Sequence, residues 1–257
     1  MNKFTINKKN GYKIPCISEI PEDSEKIVIV IHGMCSIKES ANATYLMDFL
    51  PERGIGVIAY DQPGHGDEDA ASEELRVGNC IDSLRSVENY IKEEYPDAEI
   101  CYFGSSFGGY ILGLYLARRL NSGNKAFMRC AAVIFPQMIL GDLDAEPDPD
   151  VMKVLETKGY IEVELGIEKP ARFTLGFFED LKENDLLTLY DEAPPENVKL
   201  HFAHGQKDPV VPAGAIKAFA EKHGYPIDII PDEGHSINDH PESPEYVARL
   251  AYDLFCG

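Results

Sequence analysis

The sequence predicts an α/β domain: a mostly parallel sheet flanked by helices, with a small cap inserted late in the chain. Three observations predict it. Ile27-Val28-Ile29-Val30-Ile31 is an unbroken β-branched run, the pattern of a strand buried on both faces of a parallel sheet. Runs of this kind alternate with helix-spaced apolar stretches along most of the chain, which implies right-handed crossovers between parallel strands. The third is a strand-like stretch, Glu99 to Phe103, that leads into Gly104-Ser105-Ser106-Phe107-Gly108 and on into a helix-like one. The 257 residues are enough for one domain with a sizeable core.

The elements follow in order. Residues 3–7 and 12–17 are short β-like segments around Asn10-Gly11, a hairpin signal. Strand 27–31 ends in His32-Gly33-Met34-Cys35. Residues 40–51 read as a helix with Tyr45, Leu46, Phe49 and Leu50 on one side, closed by Gly54. Strand 55–60 comes next, then a loop of turn formers, Asp61-Gln62-Pro63-Gly64-His65-Gly66-Asp67. Leu75, Cys80, Ile81, Leu84, Val87 and Ile91 recur at helical spacing over 75–95. Strand 99–103, the serine turn and helix 106–120 follow. Cys130-Ala131-Ala132-Val133-Ile134-Phe135 is expected as the next buried strand, stopped by Pro136.

The character changes near residue 137. Residues 137–196 are acidic, with Asp142, Asp144, Glu146, Asp148 and Asp150 crowded near the start, and they lack a buried-strand run. Segments 150–157, 160–164, 171–175 and 176–190 read as short helices and a hairpin. Alternation resumes with strand 198–203, helix 213–223, strand 226–230 and helix 243–255. This divides the chain into a core, 1–136 with 197–257, and a cap, 137–196, over the C-terminal edge of the sheet.

A net charge of −20 disfavours nucleic acid, which is bound by basic patches that displace counterions, and disfavours an anionic membrane surface. No apolar run approaches the length of a membrane span, so no stable membrane insertion is expected. The six cysteines, at 16, 35, 80, 101, 130 and 256, form no C-x-x-C pair and no zinc spacing. That usage and the lack of an apolar stretch near Met1 point to the cytoplasm. No metal or organic cofactor is implied.

The chemistry centres on Ser106. In a Gly-x-Ser-x-Gly turn between strand and helix, the serine is thrust out on strained backbone above free helix N–H groups. Ser105 is out of register, because it would need glycine at Phe103. A serine hydroxyl needs a base, and the base needs an orienting carboxylate. In a parallel sheet both should follow the C-terminal ends of later strands. After strand 198–203 comes His204-Gly205-Gln206-Lys207-Asp208-Pro209, and after strand 226–230 comes Pro231-Asp232-Glu233-Gly234-His235-Ser236. Ser106, Asp208 and His235 are therefore expected as nucleophile, orienting acid and general base; Asp232, though near His235, more plausibly serves its own tight turn. The oxyanion should meet the backbone N–H groups of Phe107 and Met34, with Cys35 a substitute for the second.

With His32-Gly33-Met34, Asp61 to Gly66, Gly104 to Gly109, His204 to Pro212 and Gly234-His235-Ser236 in this order, the chain resembles the α/β-hydrolase superfamily. Within it, the chain is most similar to small-cap serine esterases of the monoacylglycerol-lipase-like or cinnamoyl (feruloyl) esterase-like kind. The resemblance implies an eight-stranded, mostly parallel sheet, a lid over Ser106, and a structural role for Asp61 to Gly66. The expected activity is hydrolysis of a small-molecule carboxylic ester through an acyl-enzyme. A serine peptidase or thioesterase on the same fold is the alternative, and a non-catalytic binding protein a third. Most apolar residues of the insertion, among them Met138, Phe173, Phe177 and Phe178, are expected in the cap's own core, with a few lining an acyl or aromatic pocket.

Overall fold

The computed structural model describes residues 1–143, 148–164 and 170–257; Asp144 and Glu146 of the acidic cluster lie outside the described residues. The chain opens with an antiparallel hairpin, β1 (Asn2–Asn7) and β2 (Lys13–Glu19). β3 (Lys26–Ile31), α1 (Ala41–Phe49), a 3₁₀ turn over Pro51–Arg53 and β4 (Ile55–Tyr60) follow. Next come a single helical turn, α2 (Glu68–Ala71), the long α3 (Val77–Glu94), β5 (Glu99–Ser105) and α4 (Phe107–Ala117). β6 (Lys125–Arg129) leads into α5 (Phe135–Leu140) and α6 (Pro149–Lys158). A small antiparallel ribbon, β7 (Tyr160–Val163) and β8 (Ala171–Thr174), precedes α7 (Leu175–Glu183) and α8 (Leu186–Glu192). β9 (Lys199–Gly205), α9 (Ala213–His223), β10 (Ile227–Ile230) and α10 (Ser243–Cys256) complete the chain.

The main sheet has eight strands in the order β1-β2-β4-β3-β5-β6-β9-β10. β1, β2 and β4 pair antiparallel, and every pair from β4 to β10 is parallel. The α/β-hydrolase fold expected from the sequence is the fold observed. β3 explains how the sheet is clad on both sides. Ile27, Ile29 and Ile31 point into a core shared with α3 and α4, while Val28 and Val30 point into a core shared with α1 and α10. Each of these five side chains is at most 1% exposed, which stabilises the strand by about 1.5–3 kcal/mol per residue.

One expected strand lies elsewhere. Residues 130–134 are not the sixth strand; β6 ends at Arg129, and Pro136 stands near the N-terminus of α5 instead of stopping a strand. The sequence Lys-Ala-Phe-Met-Arg hid β6 because both of its ends are charged. Both charges are buried. Lys125 donates to the Phe255 carbonyl at 2.9 Å, and Arg129 turns into the site described below.

Candidate active site

Ser106 stands between the end of β5 and the first residue of α4, with φ 53° and ψ −119°. That is strained backbone for a residue with a Cβ. The glycines on either side make the turn possible by close approach. A Cβ on Gly104 would lie 2.8 Å from the Gly109 Cα, and one on Gly108 would lie 2.2 Å from the Ile31 carbonyl oxygen. α4 can therefore sit directly against the ends of β5 and β3, with Ser106 at the tip.

The loop after β10 brings His235 to it. His235 Nε2 lies 2.9 Å from Ser106 Oγ, and its Nδ1 lies 2.7 Å from Asp208 Oδ2. The tautomer follows from the partners: Nδ1–H donates to the carboxylate, and Nε2 accepts from the hydroxyl. Asp208 is fixed in turn. Its Oδ1 accepts the backbone N–H groups of Val210 and Val211 at 2.8 and 2.9 Å. Buried His204 places Nε2 at 3.1 Å from Asp208 Oδ2 and 2.9 Å from the Val211 carbonyl, so Nε2 carries the proton. Burial pushes the Asp208 pKa up, but hydrogen bonds from His204 and His235 outweigh it and hold the carboxyl well below its ordinary range. Asp232 is drawn elsewhere. It is exposed and pairs with Lys207 at 2.7 Å, and the two shift each other's pKa values apart.

The loop that carries His235 has its own anchor. Buried Glu233 accepts the N–H groups of Asp239 and His240 at 3.0 and 2.9 Å and pairs with His240 Nδ1 at 2.9 Å. Burial raises the pKa of Glu233, but hydrogen bonds from Ser243, Asp239 and His240 bring it down to about 2.

The expected oxyanion donors flank Ser106. A Cβ on Gly33 would stand 3.2 Å from the Ser106 Cβ, so the loop holding Met34 passes directly beside the serine. The Met34 N–H makes no backbone hydrogen bond among the described residues. Phe107 is the first residue of α4, where a helix leaves its N–H groups without partners inside the helix. Behind this loop, buried His32 accepts the Gln62 N–H at Nε2 (3.0 Å), and burial lowers its pKa to about 4. It sits there as a neutral imidazole. Lys38 joins Asp61 and Asp67 at 2.8 and 2.7 Å, which gives Asp61 to Asp67 a structural anchor.

A cavity of about 560 Å³ opens at Ser106. Val30, Leu46, Phe103 and Val247 are its buried apolar wall, and Ser236 and Asn238 are exposed at its margin. No described residue of 137–196 lines it. Phe135 and aromatic side chains of residues 137–196 pack instead on Phe107, the residue after the serine. Phe107 meets Phe135 and Phe177 at ring-centroid distances of 4.9 and 6.3 Å, and Phe173 meets Phe177 at 4.7 Å. A second cavity, about 540 Å³, lies within the insertion and is lined by Met138, Met152, Leu155, Phe173 and Phe178 among others.

A family model described as serine aminopeptidase, S33, matches residues 22–170, more than half of the chain. The chain belongs to this family. Solved structures agree on the fold of the S33-family protein. Est1E from Butyrivibrio proteoclasticus, solved with ferulic acid bound, superposes with a TM-score of 0.80 at 18% identity, covering 99% of this chain and 100% of its own. A hydrolase of Agrobacterium vitis S4, so far called putative, gives 0.80 at 18% identity, with 98% and 97% covered. Mouse alpha/beta hydrolase domain-containing protein 10 gives 0.73 at 18%, with 100% and 99% covered. The family and the fold make this chain a hydrolase of the α/β-hydrolase type.

Sequence reasoning about this S33-family hydrolase missed one residue of the site. Arg129, 3% exposed, lines the cavity with Ser106; its Nη1 donates to Ser105 Oγ at 2.7 Å and its Nη2 to the His235 carbonyl at 2.9 Å. The signal available was a lone charge at the end of an apolar run, Ala126-Phe127-Met128, beside the expected strand.

Proposed function

We propose that the protein hydrolyses carboxylic esters by way of an acyl-enzyme on Ser106. The observation that carries this reading is the unbroken chain of hydrogen bonds from Ser106 Oγ through His235 to Asp208, at 2.9 and 2.7 Å. His235 Nε2 takes the hydroxyl proton as Oγ bonds to the ester carbonyl carbon. The tetrahedral oxyanion is held by the N–H groups of Met34 and Phe107. His235 then gives the proton to the leaving alcohol oxygen as the C–O bond breaks. Water repeats the sequence on the acyl-enzyme, releasing the acid and restoring Ser106. Asp208, held as an anion, orients the imidazole and stabilises its charged form.

The acyl group enters the cavity walled by Val30, Leu46, Phe103 and Val247, which offers an apolar lining beside the nucleophile. Residues 137–196 act as a cap that braces α4 from behind through Phe107. Six free thiols accord with a cytoplasmic location.

The family's description favours a second reading, cleavage of an N-terminal aminoacyl group. A free α-ammonium calls for a carboxylate in the pocket, and no Asp or Glu is among the described residues lining the cavity at Ser106. The ester reading is preferred for that reason. The test is labelling with a fluorophosphonate probe, together with turnover of p-nitrophenyl esters of graded acyl length, methyl ferulate, acyl thioesters and aminoacyl p-nitroanilides. One adduct on Ser106, absent in Ser106→Ala, with ester turnover above the other classes, is the expected result. Labelling without ester turnover would overturn the substrate class, and wild-type protein that resists the probe would overturn the mechanism.

A further inference from the structure

Arg129 is a buried cation that forms no ion pair among the described residues. It ends β6 directly beside Ser105 of β5 and Ala203 of β9. Burial lowers its pKa, and the negative charges that offset this, Asp208 and Glu233, act through space and not by contact. Such a group is a poor device for stability. An apolar side chain of similar volume commonly stabilises a core as well as a buried charge or better. The cost makes sense where a fixed geometry is needed, and the two bonds of Arg129 show which geometry.

One bond goes to Ser105, the residue before the nucleophile. The other goes to the backbone carbonyl of His235, the base. These two segments lie 129 residues apart along the chain between Ser106 and His235. They are otherwise joined at the site by the Ser106–His235 hydrogen bond itself, which must break and re-form in every turnover. A guanidinium is planar and donates from a rigid fork, so it fixes the separation of two acceptors better than a flexible ammonium. The loop it holds is strained, with Asp232 and Ile237 at φ 62° and 41° on either side of His235.

We propose that Arg129 is a positioning residue that ties the nucleophile turn to the base loop and so sets the Ser106–His235 distance. It touches neither substrate nor reacting atoms in this role. The proposal rests on the serine mechanism above but not on the ester as substrate, so its primary readout is the rate at which the fluorophosphonate probe labels Ser106. Wild type that labels but cleaves no ester would defeat the substrate reading alone.

The variants are Arg129→Met, Arg129→Ala and Ser105→Ala, each measured for labelling rate, kcat, KM and thermal midpoint. Misplacing a catalytic group by about 1 Å costs on the order of 10²-fold, so Arg129→Met should label and turn over about 10²-fold more slowly, with KM within about twofold of wild type and the thermal midpoint retained. Because Arg129 lines the open cavity at Ser106, methylguanidinium should recover the Arg129→Ala rate in a saturable way and methylammonium should not. A folded Arg129→Met protein labelled at the wild-type rate, or a loss confined to KM, would overturn the proposal, as would failure of methylguanidinium to restore Arg129→Ala. If Arg129→Met does not fold, Ser105→Ala decides. It keeps the cation and removes one anchor, and an unchanged labelling rate there would overturn the proposal as well.

Discussion

The cavity at Ser106 and the cavity inside residues 137–196 are almost equal in size, about 560 and 540 Å³, yet they are built in different ways. The first is assembled from the C-terminal ends of β3, β5 and β6, the loops after β3, β9 and β10, and two helices, α1 and α10. Parallel strands deliver their C-terminal ends to one edge of the sheet, so residues distant in sequence converge there: Met34, Ser106, Arg129 and His235. The second is lined by α5, α6, α7 and the β7–β8 ribbon, whose side chains come from one continuous stretch and are mostly aliphatic or aromatic. Its polar members among the described residues, Asp142, Asp148, Glu179 and Lys182, include neither a hydroxyl nor an imidazole. Volume and apolar lining are common to both. What separates them is a hydroxyl and an imidazole brought into hydrogen-bond contact, Ser106 Oγ and His235 Nε2 at 2.9 Å.

The largest effect is expected where the relay is damaged and the shape of the first cavity is kept. Asp208→Asn is nearly isosteric, but it turns an acceptor of the His235 Nδ1 proton into a group that can donate, and the imidazole is left in the wrong tautomer. kcat for a p-nitrophenyl ester should fall by about 10⁴-fold, with KM close to wild type. A variant with near-wild-type kcat would mean that the 2.7 Å contact between Asp208 and His235 does not carry the chemistry.

The same contrast explains what could be read in the sequence. Ser106, Asp208 and His235 were legible because each sits at a strand end in a loop whose turn chemistry is local: glycines around the serine, prolines around Asp208, glycine before His235. The parallel sheet was legible for a related reason, since continuous β-branched runs such as Ile27 to Ile31 have few alternatives. β6 was not, because Lys125 and Arg129 are charges whose partners lie on other elements, Glu99 and Phe255 for the first, Ser105 and His235 for the second. The aromatic residues of 137–196 could be assigned to a core, but not to a side of the serine. That Phe177 backs Phe107, and that the open cavity lies toward α1 and α10, depends on packing that no periodicity encodes.

A second, smaller effect follows from the wall of the first cavity. Val247, 4% exposed on α10, lines it with Leu46 and Phe103. Val247→Trp adds volume at a site where a buried valine stands, at a cost in stability of about 1–3 kcal/mol. It should shorten the acyl pocket. Octanoate and hexanoate esters should lose roughly 10- to 100-fold in kcat/KM relative to acetate, since each methylene excluded from an apolar pocket carries a penalty of this order. A uniform loss at every chain length, read from the p-nitrophenyl series, would place the acyl chain outside this cavity.

The smallest expected effect is a near-null that only one arrangement of the two cavities predicts. Met152→Trp narrows the second cavity, where Met152 is half-buried on α6. The described residues that line the two cavities do not overlap. The thiol of Cys35, next in the chain to cavity-lining Met34, donates to the carbonyl of Val163 in the wall of the second cavity at 3.4 Å, outside the relay. If the acyl group stays between α1 and α10, narrowing the second cavity leaves the chain-length profile in place and changes kcat/KM by less than about threefold, in keeping with the small effects of changes remote from the reacting groups. If Met152→Trp cuts off the long esters and Val247→Trp does not, the substrate crosses beneath the cap. The apolar space of residues 137–196 would then be the acyl site, and the cavity beside α10 the path by which water or alcohol reaches Ser106.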